Sequence, residues 1–595
     1  MPSLRFIAIL IVAILCVALI APAAPAVADS TSPLLADALH APAPQHQAST
    51  AGNPTPDLYQ PSAFLAGKVA VQIVFAESDG RYEPSSVNWQ ASQISEIQSR
   101  IATALEWWAQ RLPNARLSFD LTSVVANTGY EPIEHGLNTE SQWVGDTLNS
   151  MGISAPNYFE QAYAADAALR QARGADWATT IFVANSSNTS GGRFTDGHFA
   201  YAYINGPFLV ITSDAGPYGT HQLSQVVAHE FGHIFGALDQ YAAAGVPCAQ
   251  QSGYLAMPTS NSQWNSCGTK NTSIMLEPLS AYLTNQIDDS ALGQVGYRDS
   301  DHDAIPDPID TAPVLQVQLD QAGGGRPVVS GLALDQPYPS LNGDLLSINT
   351  ITKVEYRADG GVWMPLPAAD GAYDSVREPI DATLALYDGP HQVELRATNR
   401  VDAQSAVRSY NLVVSGAGAD PGYRVSAPEV SSSQSVTLGL TAPAGSQVQV
   451  SESPSFGGAE WVAAAPTLAW QLSAGEGQHM IYARFRGAQG LESPTLAAQV
   501  TLDRTPPTGY AWLRKSGGGT WLEILAQDTR SQVADMQISS GAGAKTTWQP
   551  FQPELEINLQ SDTIYVRLRD AAGNVTEPFT ASPASPIWIP RSVNG

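Results

Sequence analysis

The stretch that decides the fold of the first half of this chain is HEFGHIFGALD, residues 229–239. His229 and His233 are four positions apart, so on an α-helix, at about 100° per residue, their side chains point within roughly 40° of each other. The opposite side of the same helix is apolar and carries Leu223, Val227, Phe231, Ile234 and Leu238. We therefore predict an amphipathic helix from about residue 220 to residue 237, with one face in a core and two imidazoles on the other.

The histidine face has the composition of a metal site. Two imidazoles one helical turn apart can share one zinc ion, and Glu230 lies close enough to hold a water molecule beside it. Gly236 lets the chain leave the helix without a steric penalty, and Asp239 can then turn back towards the same ion. The alternative is a solvated helix face, because two glutamines also lie on the histidine side. We prefer the metal site, since the chain has only 10 histidines and this spacing rarely arises by chance.

The motif resembles the signature of the metzincin clan of zinc metallopeptidases, which is HExxHxxGxx followed by His or Asp. The resemblance covers about residues 66–298 and implies a metzincin-like α/β catalytic domain, with a mixed sheet and an active-site helix. It also implies that His229, His233 and Asp239 are zinc ligands. Glu230 would then be the general base of a secreted zinc endopeptidase, which hydrolyses peptide bonds by a metal-activated water.

Metzincins also have a methionine-containing turn under the metal, and the segment Ser273-Ile274-Met275 follows Asp239 at a suitable distance. By this resemblance Met275 is the Met-turn residue; the alternative is an ordinary core methionine. Some members have a tyrosine two residues after the methionine, where this chain has Glu277. A tyrosine that assists the transition state is therefore not indicated, and Tyr241 and Tyr282 are the remaining candidates.

The residues before the motif alternate between strand and helix patterns. Residues 69–75 are typical of a buried strand and residues 92–112 of a helix that ends at a proline, and strand, helix and strand follow up to residue 183. This alternation predicts an α/β domain with a mixed sheet over residues 66–298. Residues 199–211 are either an edge strand that pairs with an extended substrate backbone or a structural hairpin. Both alternatives stay open from the sequence.

The first 28 residues have the pattern of a secretory signal peptide. Arg5 precedes an apolar run, and Ala26-Val27-Ala28 offers a cleavage site before Asp29. The run is too short for a good spanning helix, so we expect no membrane insertion after cleavage. Residues 29–65 are rich in Ala, Pro, Ser and Gln without an apolar period, which is typical of a linker or a pro-segment. We expect a secreted protein, either released or held at the cell surface.

Two cysteines follow the signal peptide, Cys248 and Cys267. An even number of cysteines in an exported chain favours one disulfide between them. Free thiols or metal ligands are the alternative, although no further cysteine is near to complete a ligand set. We therefore predict the disulfide.

A second metal pattern is DSDHDAIPDPID, residues 299–310. Oxygen-bearing groups fall at the positions that a calcium loop uses. The predicted ligands are Asp299, Asp301, Asp303, the Ile305 carbonyl, Asp307 and Asp310. Ala304 stands where glycine usually eases the turn, and two prolines exclude a helical exit. The segment resembles the calcium-binding aspartate repeats of thrombospondin type 3, so we predict a calcium-binding linker over residues 299–312. An acidic, solvated linker is the alternative.

Beyond residue 313 the pattern changes to short alternating strands. A strand, a tryptophan and a late strand that ends in arginine recur about every 85–95 residues, which is the size of one β-sandwich. The turn at residues 570–574 also resembles the closing turn of bacterial immunoglobulin-like repeats. We predict immunoglobulin-like modules at 313–416, 420–503 and 504–586. Their tryptophans, Trp363, Trp461 and Trp548, are core residues or carbohydrate platforms, and we favour the core.

The charge balance limits the partners. The chain has 29 Lys and Arg against 55 Asp and Glu, a net charge of −26 at pH 7. Such a surface repels phosphate backbones, so we expect no nucleic-acid partner. We expect a monomer that acts on a protein or peptide substrate and whose modules bind a cell-surface or matrix ligand. The alternative function is a cell-surface, calcium-stabilised adhesin with a non-catalytic metzincin-like domain.

Overall fold

The computed structural model describes residues 39–41, 54–320, 325–340, 343–516, 518–542, 546–558, 561 and 563–583. The predicted signal peptide, residues 1–28, lies outside this part of the chain. Of the described residues, 39–41 and 58–296 form a first unit, and 54–57 with those from 297 onward form a second. A search of the described residues finds no helix that is long and apolar enough to cross a membrane.

The first unit is built on a mixed six-stranded sheet. Its strands are β1 (Leu39–His40), β2 (Lys68–Ser78), β3 (Ser118–Thr128), β4 (Trp177–Ala184), β5 (Ala200–Ile204) and β6 (Phe208–Thr212). The spatial order is β1-β5-β6-β4-β2-β3. Strands β3, β2, β4 and β6 run parallel, whereas β5 is antiparallel to β6 and pairs in parallel with β1. Every residue of β4, β5 and β6 is buried, which makes this side of the sheet the centre of the core.

Helices connect and cover these strands. They are α1 (Ala91–Arg111), α2 (Glu140–Ser150), α3 (Tyr158–Arg173), α4 (Leu223–Ile234), α5 (Pro278–Thr284) and α6 (Asp289–Gln294). Local sequence sets several ends: the Asn157 side chain accepts hydrogen bonds from two N–H groups at the start of α3, and Gly174 ends that helix in the left-handed conformation. A small hairpin, β7 (Gln251–Ser252) with β8 (Met257–Pro258), follows α4.

Part of the predicted linker belongs to the packed structure of the first unit. Phe64 is fully buried and its ring makes an edge contact with Trp177, with centroids 4.9 Å apart. The N–H of Leu65 donates to the carbonyl of Val295 at 2.8 Å. Composition could not show this, because two apolar residues in a polar segment give no periodic signal, yet each buries its side chain against the sheet.

The second unit consists of β-sandwich modules, and the predicted multidomain organisation with such modules is confirmed. The strands of the first module are β9 (Pro313–Asp320), β10 (Val328–Asp335), β11 (Ile351–Ala358), β12 (Met364–Pro365), β13 (Arg377–Thr383), β14 (Gly389–Asn399) and β15 (Arg408–Val414). They form two sheets, β13-β10-β9 and β12-β11-β14-β15. The buried apolar side chains of both sheets form one cluster.

The second module repeats this plan. Its strands are β16 (Arg424–Ser426), β17 (Val430–Ser431), β18 (Ser435–Thr441), β19 (Gln447–Ser451), β20 (Val462–Ala463), β21 (Thr467–Gln471), β22 (Gly477–Arg486) and β23 (Leu496–Leu502). The sheets are β16-β18-β21 and β17-β23-β22-β19-β20. Alternating burial along β18 shows the half-buried strands of a sandwich, with apolar residues inward and polar residues outward.

The third module has its strands in one continuous order. They are β24 (Thr508–Ser516), β25 (Gly519–Gln527), β26 (Val533–Ser539), β27 (Gln549–Pro550), β28 (Glu554–Ile557), β29 (Ile564–Asp570) and β30 (Phe579–Pro583). The order is β27-β26-β29-β30-β24-β25-β28, because β30 pairs with both β29 and β24. Met536, Leu568 and their neighbours form its apolar cluster.

The module tryptophans are not core residues, so that expectation is wrong. Trp363, Trp461 and Trp548 are half-buried, and each lies under one or more arginines of its module. The shortest guanidinium-to-ring distances are 4.2 Å for Trp363, 4.1 Å for Trp461 and 4.6 Å for Trp548. The recurring arginine at the end of the late strand explains the motif, since its guanidinium lies over the tryptophan ring and is attracted to the aromatic face.

Candidate metal centre

Helix α4 positions the first two predicted ligands. Trp108 of α1 donates its indole N–H to the carbonyl of Ala228 at 2.9 Å, which fixes the helix beside its neighbour. His229, Glu230 and His233 all have no exposed surface. The Nε2 atoms of His229 and His233 are 3.3 Å apart, so the predicted common face exists and its imidazoles converge on one point.

Asp239 completes the group from outside the helix. Its Oδ1 atom lies 3.0 Å from Nε2 of His229 and 3.3 Å from Nε2 of His233. Gly236 makes this return possible: its φ is +94°, and a Cβ there would lie 2.7 Å from the Cα of Gly253. Both the handedness of the backbone and the lack of space therefore require glycine at this position.

Second partners fix the orientation of both imidazoles. Nδ1 of His229 lies 2.8 Å from the carbonyl oxygen of Ile274, and Nδ1 of His233 lies 2.7 Å from that of Ala237. A carbonyl can only accept, so each Nδ1 carries a proton, and each Nε2 is the nitrogen that faces Asp239 and that can bind a metal once it has lost its own proton. Two imidazole nitrogens and one carboxylate oxygen could together hold a metal ion, and each Nδ1 has the kind of second partner that metal-binding histidines have.

The charges of the group stabilise one another. Burial alone would raise the pKa of the Asp239 carboxyl, but the charge of His233 and hydrogen bonds from both imidazoles outweigh it and hold that pKa well below its ordinary range. Burial would lower the pKa of His233, but attraction to Asp239 outweighs it and raises that pKa. The carboxylate is therefore held as an anion, which is the form that binds a metal.

Met275 lies directly against the ligand helix. It is fully buried, and a Cβ added to Gly232 of α4 would lie 2.8 Å from its sulfur atom. The carbonyl of Met275 accepts from the N–H of Gln240 at 2.9 Å. The turn of residues 273–277 is closed by the N–H groups of Leu276 and Glu277, which both donate to the carbonyl of Ser273. Met275 therefore packs against the helix that carries His229 and His233.

A buried polar network connects this turn to the ligand loop. Gln240 donates through Nε2 to Asp288 Oδ1 at 2.6 Å, and the same oxygen accepts from the Ser273 hydroxyl at 2.9 Å. Gln240 also accepts from the Asn261 side chain at 2.8 Å. Sequence reasoning missed these residues, because isolated polar side chains in loops carry no spacing signal. They hold the loops on both sides of Asp239 in one arrangement.

Tyr241 and Tyr282, the two tyrosine candidates, lie in different surroundings. The Tyr282 ring stacks on Trp107 with centroids 5.3 Å apart, and its hydroxyl donates to the carbonyl of Thr103, so it belongs to the packing of α1 and α5. The Tyr241 ring lies 6.4 Å from that of His229. Of these two tyrosines, Tyr241 is the one that lies beside His229.

The predicted disulfide is confirmed. Cys248 and Cys267 are bonded, with Cα atoms 5.5 Å apart and a sequence separation of 19 residues. The bond closes the loop that lies in sequence between Asp239 and Met275. It therefore restricts the segment that connects a candidate ligand to the turn beneath it.

The structure brings only some of the predicted calcium ligands together. Carboxylate oxygens of Asp299, Asp301 and Asp303 all lie within 4.8 Å of one another. Asp310 is not part of this group of three; its pKa is raised by burial and then by the charges of the neighbouring aspartates. Asp307 differs: its oxygens accept from Arg298 Nε at 2.5 Å and from the N–H of Ser300 at 2.8 Å.

The turn of this loop has the strain that its sequence suggests. Ala304, which stands at the usual glycine position, has a φ of +75°, and His302 has a φ of +66°. Both are left-handed conformations that cost a residue with a Cβ some free energy. Hydrogen bonds from their N–H groups to the Asp299 carboxylate hold the turn.

A further cluster of three carboxylates lies in the second unit, and the sequence analysis did not predict it. Carboxylate oxygens of Asp503, Asp528 and Asp570 lie within 4.8 Å of one another. In the first module the buried carboxylate at the end of β10, Asp335, is instead surrounded by neutral donors, among them Asn399 at 2.7 Å. The Asp570 pKa is raised by burial, with the charges of Asp503 and Asp528 contributing.

Comparisons with known proteins give solved structures at low sequence identity. Neither a family model nor a curated protein matches the chain. Solved structures that are similar include the FN1–FN3 domains of chicken CNTN1, at 12% identity over 46% of this chain and 99% of that one, with a TM-score of 0.19. A tetra-tandem repeat from the extending region of a large adhesion protein is 16% identical over 46% of this chain and 73% of that one, with a TM-score of 0.13.

A biofilm-associated protein BSP domain is 8% identical over 49% of this chain and 68% of that one, with a TM-score of 0.13. Similarity at these levels carries no argument about function. The assignment of β-sandwich modules rests on the sheets and cores described above.

Proposed function

We propose that this protein is an exported zinc-dependent endopeptidase whose reaction centre is formed by His229, Glu230, His233 and Asp239. The observation that carries the proposal is the convergence of two Nε2 atoms and one carboxylate oxygen within 3.3 Å, with both Nδ1 atoms held by carbonyls. This arrangement brings three atoms that can each bind a metal ion to one point. Buried donor atoms this close together, with second partners on both imidazoles, have the arrangement of metal ligands.

The residues divide the chemistry among them. His229, His233 and Asp239 would hold the zinc, which when bound supplies a Lewis acid that polarises a carbonyl and increases the acidity of water. Glu230 follows His229 on the same helix and is the carboxylate available as general base. It would take a proton from the water that attacks the scissile carbonyl, and would then deliver that proton to the leaving amine.

The test uses the mature full-length chain and its Glu230→Gln variant. Both are incubated with an unbiased peptide mixture, new termini are read by mass spectrometry, and bound zinc is measured by elemental analysis. We expect one zinc per chain in both proteins and loss of at least about a hundredfold in cleavage for Glu230→Gln, the range of a lost general base. Equal cleavage by the two proteins, or no bound zinc in either, would contradict the proposal.

The second candidate function is a calcium-stabilised surface adhesin. The observation that favours it is that the β-sandwich modules occupy the second unit and expose large apolar side chains, among them Val413 and Tyr510 at 68% and 69% exposure. In this alternative the metal centre is structural and the modules bind a cell-surface or matrix ligand. Adhesion that persists in Glu230→Gln, together with absent cleavage in the native chain, would favour it.

Calcium is the second metal of the proposal. Asp299, Asp301 and Asp303 would hold it, because hard oxygen ligands converge there on an exposed loop. The ion would supply charge neutralisation for the carboxylates and stiffen the segment that precedes the first module. No chemical step requires it.

A further inference from the structure

The outer face of the third module carries neighbouring aromatic side chains. Tyr510 and Trp512 lie two positions apart on β24, so both point to the same side of the sheet. That side is the outer one, because Ala511, the residue between them, is buried in the apolar cluster of the module. The centroids of the two rings are 6.4 Å apart and their planes differ by 27°. Two adjacent rings with similar planes therefore form one aromatic surface.

Strand β25 extends this surface. Leu525 lies opposite Tyr510, and Trp521 lies opposite Arg514, in the antiparallel pairing of β24 with β25. Tyr510 is 69% exposed and Leu525 is 65% exposed, while Trp512 and Trp521 are partly exposed. Exposed apolar side chains that adjoin one another mark an interaction surface in many proteins. We call Tyr510, Trp512, Trp521 and Leu525 the aromatic face.

The fold of a module does not require an aromatic face. Strand β25 lies between β24 and β28, as β10 lies between β9 and β13 and β18 lies between β16 and β21. Strands β9, β10, β16 and β18 therefore hold the equivalent places in the first two modules. None of these four strands contains an aromatic residue, and their exposed positions carry residues such as Gln316 and Thr437. The aromatic residues are thus specific to the third module, which indicates binding rather than folding.

The charged side chains beside the aromatic face neutralise one another. Nε of Arg514 donates to Oε1 of Glu523 at 2.5 Å, and the same guanidinium also donates to Glu554. It lies 5.8 Å from the centre of the Trp521 ring. Arg514 is therefore already bound to two carboxylates, and the local charge does not favour an anionic ligand such as a sulfated or phosphorylated chain.

Recognition at the aromatic face depends on side chains alone. Strand β24 pairs with β25 and β30, and β25 pairs with β24 and β28, so each has a neighbouring strand on both sides. An extended peptide that joins a sheet needs a free strand edge. This part of the sheet does not offer one. A ligand that makes its contacts with ring faces and polar side chains fits the surface better than an extended peptide does.

A pyranose ring has the complementary chemistry. One face of the ring presents C–H groups that pack against the negative face of an aromatic ring, while the hydroxyls at its rim donate and accept hydrogen bonds. Arg514 and Glu523 offer both kinds of hydrogen-bond partner beside the aromatic rings. We propose that the aromatic face binds an uncharged polysaccharide of β-linked pyranose units, which stacks on Tyr510 and Trp512. This binding does not involve the metal centre, and it gives the modules a specific class of cell-surface or matrix ligand.

The experiment measures retention of the purified, mature full-length chain on insoluble cellulose and on chitin, two uncharged β-linked polymers that differ in an acetamido group. Depletion from solution gives a Kd for each polymer. The test variants are Tyr510→Ala and the double variant Tyr510→Ala with Trp512→Ala. The matched control is Tyr82→Ala with Trp264→Ala, which removes one tyrosine and one tryptophan of 59% and 55% exposure from the first unit. Thermal unfolding checks that each variant is folded, and Tyr510→Ala decides if the double variant does not fold.

We expect the native chain and the control to bind one or both polymers with equal Kd. Tyr510→Ala should bind severalfold more weakly and the double variant at least about tenfold more weakly, the loss typical of aromatic residues that carry binding energy. High salt should leave the Kd unchanged, because an uncharged ligand is not held by charge. Binding to one polymer alone would support the proposal and show whether the acetamido group is recognised.

Three outcomes would overturn the proposal. The first is equal retention of all forms, and the second is a native chain that neither polymer retains. The third is retention on heparin alone, which would assign the face to an anionic ligand. Sedimentation of the same samples interprets the second outcome: a native dimer that the double variant abolishes would assign the face to a second copy of this chain.

Discussion

Nδ1 of His229 lies 2.8 Å from the carbonyl oxygen of Ile274, the residue that precedes Met275. This single hydrogen bond connects the ligand helix to the turn beneath it and sets which nitrogen of His229 faces Asp239. The turn therefore orients the His229 ring as well as packing against the helix. A shift of the turn's backbone would rotate this candidate zinc ligand. Substitutions in the contact between helix and turn should affect metal binding as well as stability.

Gly232→Ala is the sharpest test of that contact. A Cβ at residue 232 would lie 2.8 Å from the Met275 sulfur and 3.3 Å from the Trp108 ring, so the methionine has to move. We expect a loss of about 1–3 kcal/mol in the free energy of unfolding, as for other overpacked sites, and weaker zinc retention. Denaturant unfolding and zinc content after dialysis measure the two effects.

The matched control is Gly145→Ala in helix α2. A Cβ there would meet Tyr158 Cβ at 3.4 Å, close to ordinary contact, and alanine favours a helix by about 0.5–1 kcal/mol. That variant should be neutral or slightly stabilised with full zinc content. If Gly232→Ala behaved in the same way, the turn would not support the ligand helix.

Removal of the disulfide should loosen the same region. The double variant Cys248→Ser and Cys267→Ser opens a loop with a sequence separation of 19 residues. We expect the free energy of unfolding to fall by about 3 kcal/mol, because the unfolded chain regains the entropy of that loop. Denaturant unfolding with and without reductant measures it. The native protein should lose stability on reduction, and the variant should not; an equal response would argue against the bond.

Much of the metal centre was predictable because its information is local. Helical periodicity placed His229 and His233 on one face, and the glycine at 236 with the aspartate at 239 gave a turn that returns to them. The cysteine pair followed from parity alone. In each case the prediction needs only the spacing or the number of a few residues, and no contact between distant parts of the chain.

The features that escaped prediction depend on residues far apart in the chain. The Gln240–Asp288 bond and the pairing of β1 with β5 join segments whose sequences show no common pattern. The module tryptophans were misjudged for a different reason. Hydrophobicity places them in a core, whereas partnership with arginines such as Arg396 stabilises Trp363 on the outer face of a sheet.

Calcium binding should distinguish two kinds of aspartate in the loop. Titration calorimetry of the zinc-loaded full-length chain should show calcium binding with Kd of about 10⁻⁴–10⁻³ M, the range of extracellular modules. Asp301→Asn with Asp303→Asn should abolish the heat. Asp307→Asn should preserve it while lowering thermal stability, because Asp307 is engaged by Arg298 at 2.5 Å. Equal loss in both variants would place Asp307 among the ligands.

The stability of the second module should depend on pH through His479 and Glu452. Their Nδ1 and Oε2 atoms are 2.9 Å apart. Burial would lower the His479 pKa, but bonds to Glu452 and the Gly475 carbonyl outweigh it and raise the pKa above its ordinary 6.5. Burial would raise the Glu452 pKa, but bonds from His479 and Ser473 lower it below its ordinary 4.5.

The direction of the pH dependence of stability follows from the pH range in which each of the two groups is charged. The His479 contribution is complete below its unfolded pKa and is lost as the pH rises through the folded value, whereas the Glu452 contribution is lost as the pH falls through its folded value. The pair is therefore strongest between about pH 4.5 and 6.5. His479→Gln should cost up to about 1 kcal/mol at pH 5.5 and less at pH 8.5. Calorimetry of the full chain measures it, and an effect that grows with pH would contradict the assignment.

The parallel pairing of Leu39 with Tyr203 also sets an order of events during biosynthesis. The N-terminal strand leaves the ribosome long before its partner, so the two cannot pair until residue 203 has been made. The strand that is made first therefore waits for β5 before it can dock. Until β1 docks, the side of β5 that faces away from β6 is open, and a strand from another newly made polypeptide can pair with it.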